Sequence, residues 1–278
     1  MIRDVLTARL AQMSASGTTP DYQRLAREVL GIRGASRDLA RALVAQALVV
    51  EDRRDHWRRI GERVCEEAPR MAGVYVFRDA DDRALYVGKA ADLRRRLQAH
   101  FANRRWRTVH PAVARVARVE WQTTGSELEA ILREATLIAE LRPPANVQIG
   151  QPALHTRAVP AALVRDVVLL LPSIDPQSVD VIAARDRGDV LLQRTDRVGS
   201  GLTETAGVLW EFFQRVTVES AASSRLALAP LVFSWMAGRG RHVTRIDPHD
   251  SASADGMASR LGALFSDKSL FIERLLHV

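Results

Sequence analysis

Cysteine is almost missing from this chain. Cys65 stands alone among 278 residues, which excludes a disulfide framework and any cysteine-built zinc cluster. Long hydrophobic runs are missing too. The longest apolar stretch, Leu226 to Gly238, is thirteen residues with Pro230 inside it, short of the roughly 20 needed to span a bilayer. Met1-Ile2-Arg3-Asp4 opens no apolar h-region, so neither a secretory leader nor a membrane association is expected, and a cytoplasmic setting is. Aromatics are sparse at 5%, but 47% of residues are apolar. That content excludes a disordered chain and supports one or two domains with real cores.

Lysine is scarce in a more telling way. Of 40 basic residues only Lys89 and Lys268 are lysines; the other 38 are arginine. Arginine is a planar fork that stays charged, whereas lysine is a compact point charge whose pKa moves readily. A chain that keeps lysine at position 89 directs attention there. Tyrosines are only three, and Tyr75 and Tyr86 flank one turn. The net charge of +7 is also unevenly spread: residues 1–70 carry +3, 71–150 carry +4 and 151–278 balance. The excess is densest from Lys89 to Arg107, where Asp92 is the single acid among Lys89, Arg94, Arg95, Arg96, Arg104, Arg105 and Arg107. Such a run suits a polyanion, because neutralised phosphates release counterions, or else it is a solvated helix face.

Three textures follow one another. Residues 1–68 read as helical: Thr19 as N-cap with Pro20 at the first position, Ser36 capping a second helix with Leu39, Leu43 and Ala47 on its apolar side, and a third from Glu51 carrying Trp57, Ile60 and Val64. Two short helices about a glycine turn can form a helix-turn-helix, or simply a bundle. Residues 69–150 switch to strands at 73–77, 84–88 and 118–123, with helices over about 91–101 and from the capping box Ser126-Glu127-Leu128-Glu129 to about Leu141. Residues 151–278 read as a mixed α/β domain, with strands at 167–171, 179–183 and 189–193 and helices over 205–216 and 256–276. The fold class is therefore α/β (α+β), with a small antiparallel sheet flanked by helices at its centre.

Within the central hairpin, a loop centred between Ala80 and Asp81 pairs Tyr75 with Tyr86 and leaves Val74, Val76, Leu85 and Val87 on the opposite face. The two phenols either pack as an aromatic pair or share hydrogen bonds beside Lys89. On the following helix Leu93, Leu97 and Phe101 form the apolar stripe. Arg96 and His100 lean toward the sheet, and Arg94 and Arg95 point away. Arg96 suits a phosphate clamp. Glu134 sits between Ile131 and Ile138 and needs a partner, either an arginine such as Arg133 or Arg142 or a divalent cation. A second collection of possible metal ligands, His242, Asp247, His249 and Asp250, surrounds Pro248 and reads better as a turn.

Taken together, Gly73-Val74-Tyr75, Tyr86-Val87-Gly88-Lys89, Arg96, Glu134 and Asn146 stand in the order and spacing of the GIY-YIG nuclease family. The text from Ala84 to Leu97 and from Glu127 to Val147 resembles the N-terminal nuclease of the excinuclease C subunit of bacterial nucleotide-excision repair. The resemblance implies a DNA phosphodiester hydrolase with one Mg²⁺ or Mn²⁺ on Glu134. Arg96 would neutralise phosphoryl charge. Tyr75 or Tyr86 would deprotonate water with Lys89 lowering the phenol pKa, and Asn146 would support the site. DNA contacts are expected from Gly88, Arg94, Arg95, Arg104, Arg105 and Arg107.

His100 departs from the tyrosine common in excinuclease C nucleases but matches other GIY-YIG branches, and adds a third candidate base. The resemblance covers only about residues 70–150, without a second, ribonuclease-H-like nuclease or tandem helix-hairpin-helix ending. The closer parallel is a shorter homologue making a single incision, with DNA and the excision-repair helicase subunit as partners. Two other readings are a non-cleaving repair module on the same fold and a site-specific nuclease of mobile-element or restriction type.

Overall fold

The computed structural model describes residues 2–102, 113–148, 159–199, 201–215 and 227–267. Helices α1 (Ile2–Ala15), α2 (Tyr22–Glu28) and α3 (Arg37–Glu67) come first. The expected break near Glu51 is absent, and α3 runs unbroken for 31 residues. No glycine or proline stands between Ser36 and Gly61 to interrupt it. Ser36 caps it as expected, accepting from the Leu39 N–H, whereas α2 is capped by Asp21 rather than Thr19. The buried side of α3 is also shifted by one residue. Leu39 is exposed while Ala40 and Val44 are buried, because Leu6 of α1 and Leu25 of α2 pack against Val44.

The C-terminal half of α3 belongs to the next unit. Trp57, Ile60 and Val64 join one core with Tyr75, Phe77, Leu93 and Leu97. That core crosses the boundary the sequence suggests at residue 68. It surrounds an antiparallel sheet of β1 (Gly73–Arg78), β2 (Ala84–Ala90) and β3 (Arg118–Thr123) in the order β2-β1-β3. Helix α4 (Leu93–Ala102) lies against α3: the Trp57 indole donates to the Phe101 carbonyl, and the two rings are 4.6 Å apart. Helix α5 (Glu127–Leu141) packs against β1 and β2. Ser126 accepts from the Glu129 N–H as the capping box requires, but the Glu129 carboxylate accepts from Gly125 rather than from Ser126. The short helix α6 (Pro144–Gln148) follows.

The hairpin register differs from the expected one by two residues. Asp79 accepts from the amides of Asp81 and Arg83, and Asp82 takes φ 65°. These contacts shift the turn along the chain, so Arg78 faces Ala84, and a bulge between Phe77 and Arg78 adds a second step. Tyr75 therefore stands opposite Gly88, and Tyr86 opposite Phe77. Because strand side chains alternate with period two, a slip of two residues keeps both phenols on the same face.

The last unit is a four-stranded antiparallel sheet of β4 (Val167–Pro172), β5 (Ser178–Ala184), β6 (Val190–Asp196) and β7 (Thr244–Ile246), in the order β6-β5-β4-β7. Helices α7 (Gly201–Gln214) and α9 (Ala254–Ser266) cover one face through Leu209, Met257, Leu261 and Phe265. The other face is covered by α8 (Ala229–Ala237) and, across the expected boundary at 150, by Leu128 and Leu132 of α5. Nine residues of the thirteen-residue apolar stretch form α8, and Leu226 at its start lies outside the described residues. Among the described residues no helix is long and apolar enough to cross a membrane.

Strand β2 is an edge, and its outward backbone is closed by a side chain. The Asn146 amide accepts from the Val87 N–H at 2.8 Å and donates to the Val87 carbonyl at 2.9 Å. Val87 is fully buried, so both backbone groups would otherwise lack a partner. Asn146→Ala is expected to lower stability by about 2 kcal/mol, since unsatisfied buried groups cost about 1–3 kcal/mol each. Urea denaturation checks this, with an unchanged slope expected and a reduced midpoint.

Candidate active site

The site forms where β1, β2, α4 and α5 meet. Tyr75 is fully buried and Phe77 lies beside it on the same strand face. His100, on the last turn of α4, is also buried, and its Nε2 shares a 2.6 Å hydrogen bond with the Tyr75 hydroxyl. Tyr86 completes the group, its ring 6.0 Å from Tyr75 and 5.9 Å from His100. Phe77 is the member that sequence reasoning missed. Its two-residue spacing from Tyr75 was the available signal, and its ring is 6.0 Å from both Tyr86 and His100.

The glycines of both motifs follow from this packing. A Cβ on Gly88 would stand 2.5 Å from the Tyr75 hydroxyl, and one on Gly73 would stand 2.3 Å from the Gln122 carbonyl of β3. Gly88 was expected on a DNA surface; instead it is buried under two phenol rings, where any side chain would collide.

Arg96 is exposed overall, yet its partly desolvated guanidinium interacts with both phenols. Arg96 and His100 thus both lean to the sheet, as their four-residue spacing predicted. Arg94 does not point away. It donates to the carbonyls of Ala68 and Glu66, closing the C-terminal end of α3. Helix ends leave such carbonyls unpaired, and a cation there also complements the helix dipole. Arg95 is exposed, whereas Arg104, Arg105 and Arg107 lie outside the described residues.

Glu134 reaches this cluster from α5 and is half-buried. Burial pushes its carboxyl above the ordinary carboxylate range, while the Lys89 charge, the Lys89 backbone N–H that it accepts from and the Arg96 charge oppose that rise. Its neighbour Arg133 is committed elsewhere, to Glu129 at 2.8 Å, and Arg142 ends α5 in the left-handed region. Burial also pushes the Tyr75 hydroxyl well up, with Tyr86 adding to the effect and Arg96 opposing it. Tyr86 is raised chiefly by burial and then by the Glu134 charge, again against Arg96. The expected effect of Lys89 on a phenol is therefore corrected. Lys89 lies an odd number of residues from Tyr86, which sends its side chain to the other face of the strand. Its electrostatic partner is Glu134, and Arg96 is the cation at the phenols.

Asn146 touches the backbone at Val87, one residue from Tyr86, so it holds the strand rather than lining the cluster. Among the described residues no three His, Cys, Asp or Glu side chains come together. A cation at Glu134 would thus take one protein carboxylate, with water and phosphate oxygens completing its shell. That donor set fits Mg²⁺ or Mn²⁺, hard ions that usually retain several waters. The second group of possible ligands disperses. Asp247 caps a short turn through the His249 N–H, His249 pairs with Asp166 at 3.2 Å, and Asp250 pairs with Arg260 at 2.9 Å.

Gly88→Ala should destabilise the fold by about 1–3 kcal/mol, the usual cost of overpacking a filled core. A thermal melt monitored by circular dichroism reads this directly, and an unchanged midpoint would contradict the tight contact with Tyr75.

A family model for the UvrC-like GIY-YIG domain matches residues 71–147. UvrABC system protein C of Methanothermobacter thermautotrophicus is 38% identical over 84 residues, 30% of this chain and 14% of that protein. The proteins of the same name from Paenarthrobacter aurescens and Ectopseudomonas mendocina are 46% identical over 83 residues and 50% over 76, each with 12% of its length covered. The chain thus spans about one seventh or less of these relatives. Among solved structures, the GIY-YIG N-terminal endonuclease domain of UvrC from Thermotoga maritima, bound to its catalytic divalent cation magnesium, is 28% identical. That alignment has a TM-score of 0.28 and covers 31% of this chain and 94% of that one. Between its helical N-terminal region and its second sheet, over residues 71–147, this chain carries a UvrC-like GIY-YIG domain.

Proposed function

We propose that this chain is a metal-dependent DNA endonuclease that nicks one strand in excision repair, by a single incision, in the cytoplasm and alongside the excision-repair helicase subunit. The observation that carries the reading is the convergence of Tyr75, Tyr86, Arg96, His100 and Glu134, from two strands and two helices, on one electrostatically connected cluster. The UvrABC relatives support the repair setting, and the positive excess in the first 150 residues supports a DNA substrate.

Glu134 would hold the Mg²⁺ or Mn²⁺, with Lys89 and Arg96 balancing the carboxylate before the cation arrives. Bound there, the cation supplies Lewis-acid polarisation of the scissile phosphate and charge stabilisation of the leaving oxygen. Arg96 neutralises charge on the phosphoryl oxygens, a role suited to an exposed arginine whose charge interacts with both phenols. Of the two phenols, Tyr86 is the one we assign to the attacking water. It is half-buried rather than sealed in, and it senses the Glu134 charge. Tyr75 and His100, both buried and joined at 2.6 Å, hold Tyr86 and Arg96 in place and can pass a proton between them.

Glu134→Ala should abolish metal-dependent nicking of end-labelled duplexes while leaving DNA affinity within about twofold. Tyr86→Phe should reduce nicking by about 10²-fold or more, the scale of a lost proton-transfer group. Both variants are assayed with Mg²⁺ and Mn²⁺, on damaged and undamaged DNA, with and without the helicase subunit. Undiminished cleavage by Glu134→Ala would refute the proposal. Site-specific cuts in undamaged DNA would move it to a restriction-type enzyme.

A further inference from the structure

Helix α5 carries two carboxylates with different tasks. Glu134 faces the candidate active site. Glu129, five residues earlier, lies about 140° away around the helix at 3.6 residues per turn. It is fully buried on the side facing the second sheet. There its carboxylate accepts from the Gly125 N–H at 2.9 Å, from Arg133 at 2.8 Å and from Arg194 at 3.3 Å. Arg194 comes from β6, more than sixty residues along the chain. It also donates to Asp180 of β5 at 2.7 and 3.1 Å, and Asp180 is fully buried as well. One guanidinium therefore bridges a buried carboxylate of each unit.

The backbone around this bridge is held as tightly. A Cβ on Gly125 would lie 2.4 Å from the Pro172 carbonyl and 2.5 Å from the Ile174 nitrogen, so the β3–α5 connection is seated directly on the β4–β5 turn. Leu128 and Leu132, one turn apart, are buried in the core of the second sheet. Rotation of α5 about its own axis would break all of these contacts together. It would also move Glu134.

We propose that Arg194 is a positioning residue for Glu134: by clamping Glu129 against Asp180, the second sheet sets the rotation of α5 and thereby where the metal-holding carboxylate stands. This rests on the nuclease reading above. It gives the second sheet a task in cleavage that needs no DNA contact, in keeping with the balanced charge of residues 151–278. Lone removal of Arg194 would leave the buried Asp180 carboxylate without its cation while Glu129 keeps Arg133. The informative variant is therefore the double substitution Asp180→Asn with Arg194→Met, which withdraws the clamp and leaves Glu129 with Arg133.

Three measurements on the full chain test this: Mn²⁺ half-saturation by electron paramagnetic resonance without DNA, amide exchange across 127–141, and single-turnover nicking. The folded double variant should need at least fivefold more Mn²⁺, exchange faster along α5, and nick at least tenfold more slowly at limiting metal. Its DNA affinity should be unchanged. Arg194→Lys, which keeps the charge, should recover most of the metal affinity. Wild-type Mn²⁺ half-saturation in the folded double variant overturns the inference. If that variant does not fold, Glu129→Gln is judged by the same Mn²⁺ criterion. A wild-type chain that binds Mn²⁺ but never nicks removes the nuclease reading alone, and the Mn²⁺ titration still decides the clamp. Absence of Mn²⁺ binding by the wild type removes both.

Discussion

Helix α5 serves two neighbours at once, and that constraint organises the molecule. One side supplies Leu128, Leu132 and the buried Glu129 to the second sheet, while another carries Glu134 and packs against β1 and β2. Side chains repeating every three or four residues let one helix serve two cores, provided its rotation is fixed. The fixing is done by a buried charge bridge. Such bridges contribute little net stability but penalise the loss of any one partner, so they specify geometry more than they strengthen the fold.

Arginine does structural work in this protein that its count alone suggests would be directed at DNA. Arg94 closes the end of α3, Arg133 and Arg194 hold Glu129, and Arg96 ties together two phenols while leaving much of itself in solvent. A planar fork with several donors serves each of these sites better than an ammonium would. Lys89 takes the other part. Its backbone N–H and its charge are both directed at Glu134.

The N-terminal helices are equally tied to the site. Trp57, its ring tilted against Phe101 and its indole donating to the Phe101 carbonyl, anchors the last turn of α4, the turn that holds His100. The Tyr75–His100 hydrogen bond thus depends on α3 from behind and on the β1–β2 register from the front. Asn146 keeps that register by occupying the free edge of β2.

Local rules and motif spacing carried far in this chain. The strands of the central sheet, the caps at Ser36 and Ser126, the lean of Arg96 and His100, and the shared face of Tyr75 and Tyr86 were all legible, because each depends on neighbours within a few residues or on strict alternation. The register was not, since Asp79 had to claim two amides before the turn centre moved. Nor was the burial of Gly88, the service of Arg94 to α3, or the pairing of Glu129 with Arg194, because each needs two segments distant in sequence to be brought together. What the sequence determined by itself is the kind of elements and most of the side chains that converge on the candidate site. Only the tertiary structure decided which cation meets which anion, and that both flanking regions hold the site, because buried charges choose partners by proximity in space and low-dielectric surroundings make that choice binding.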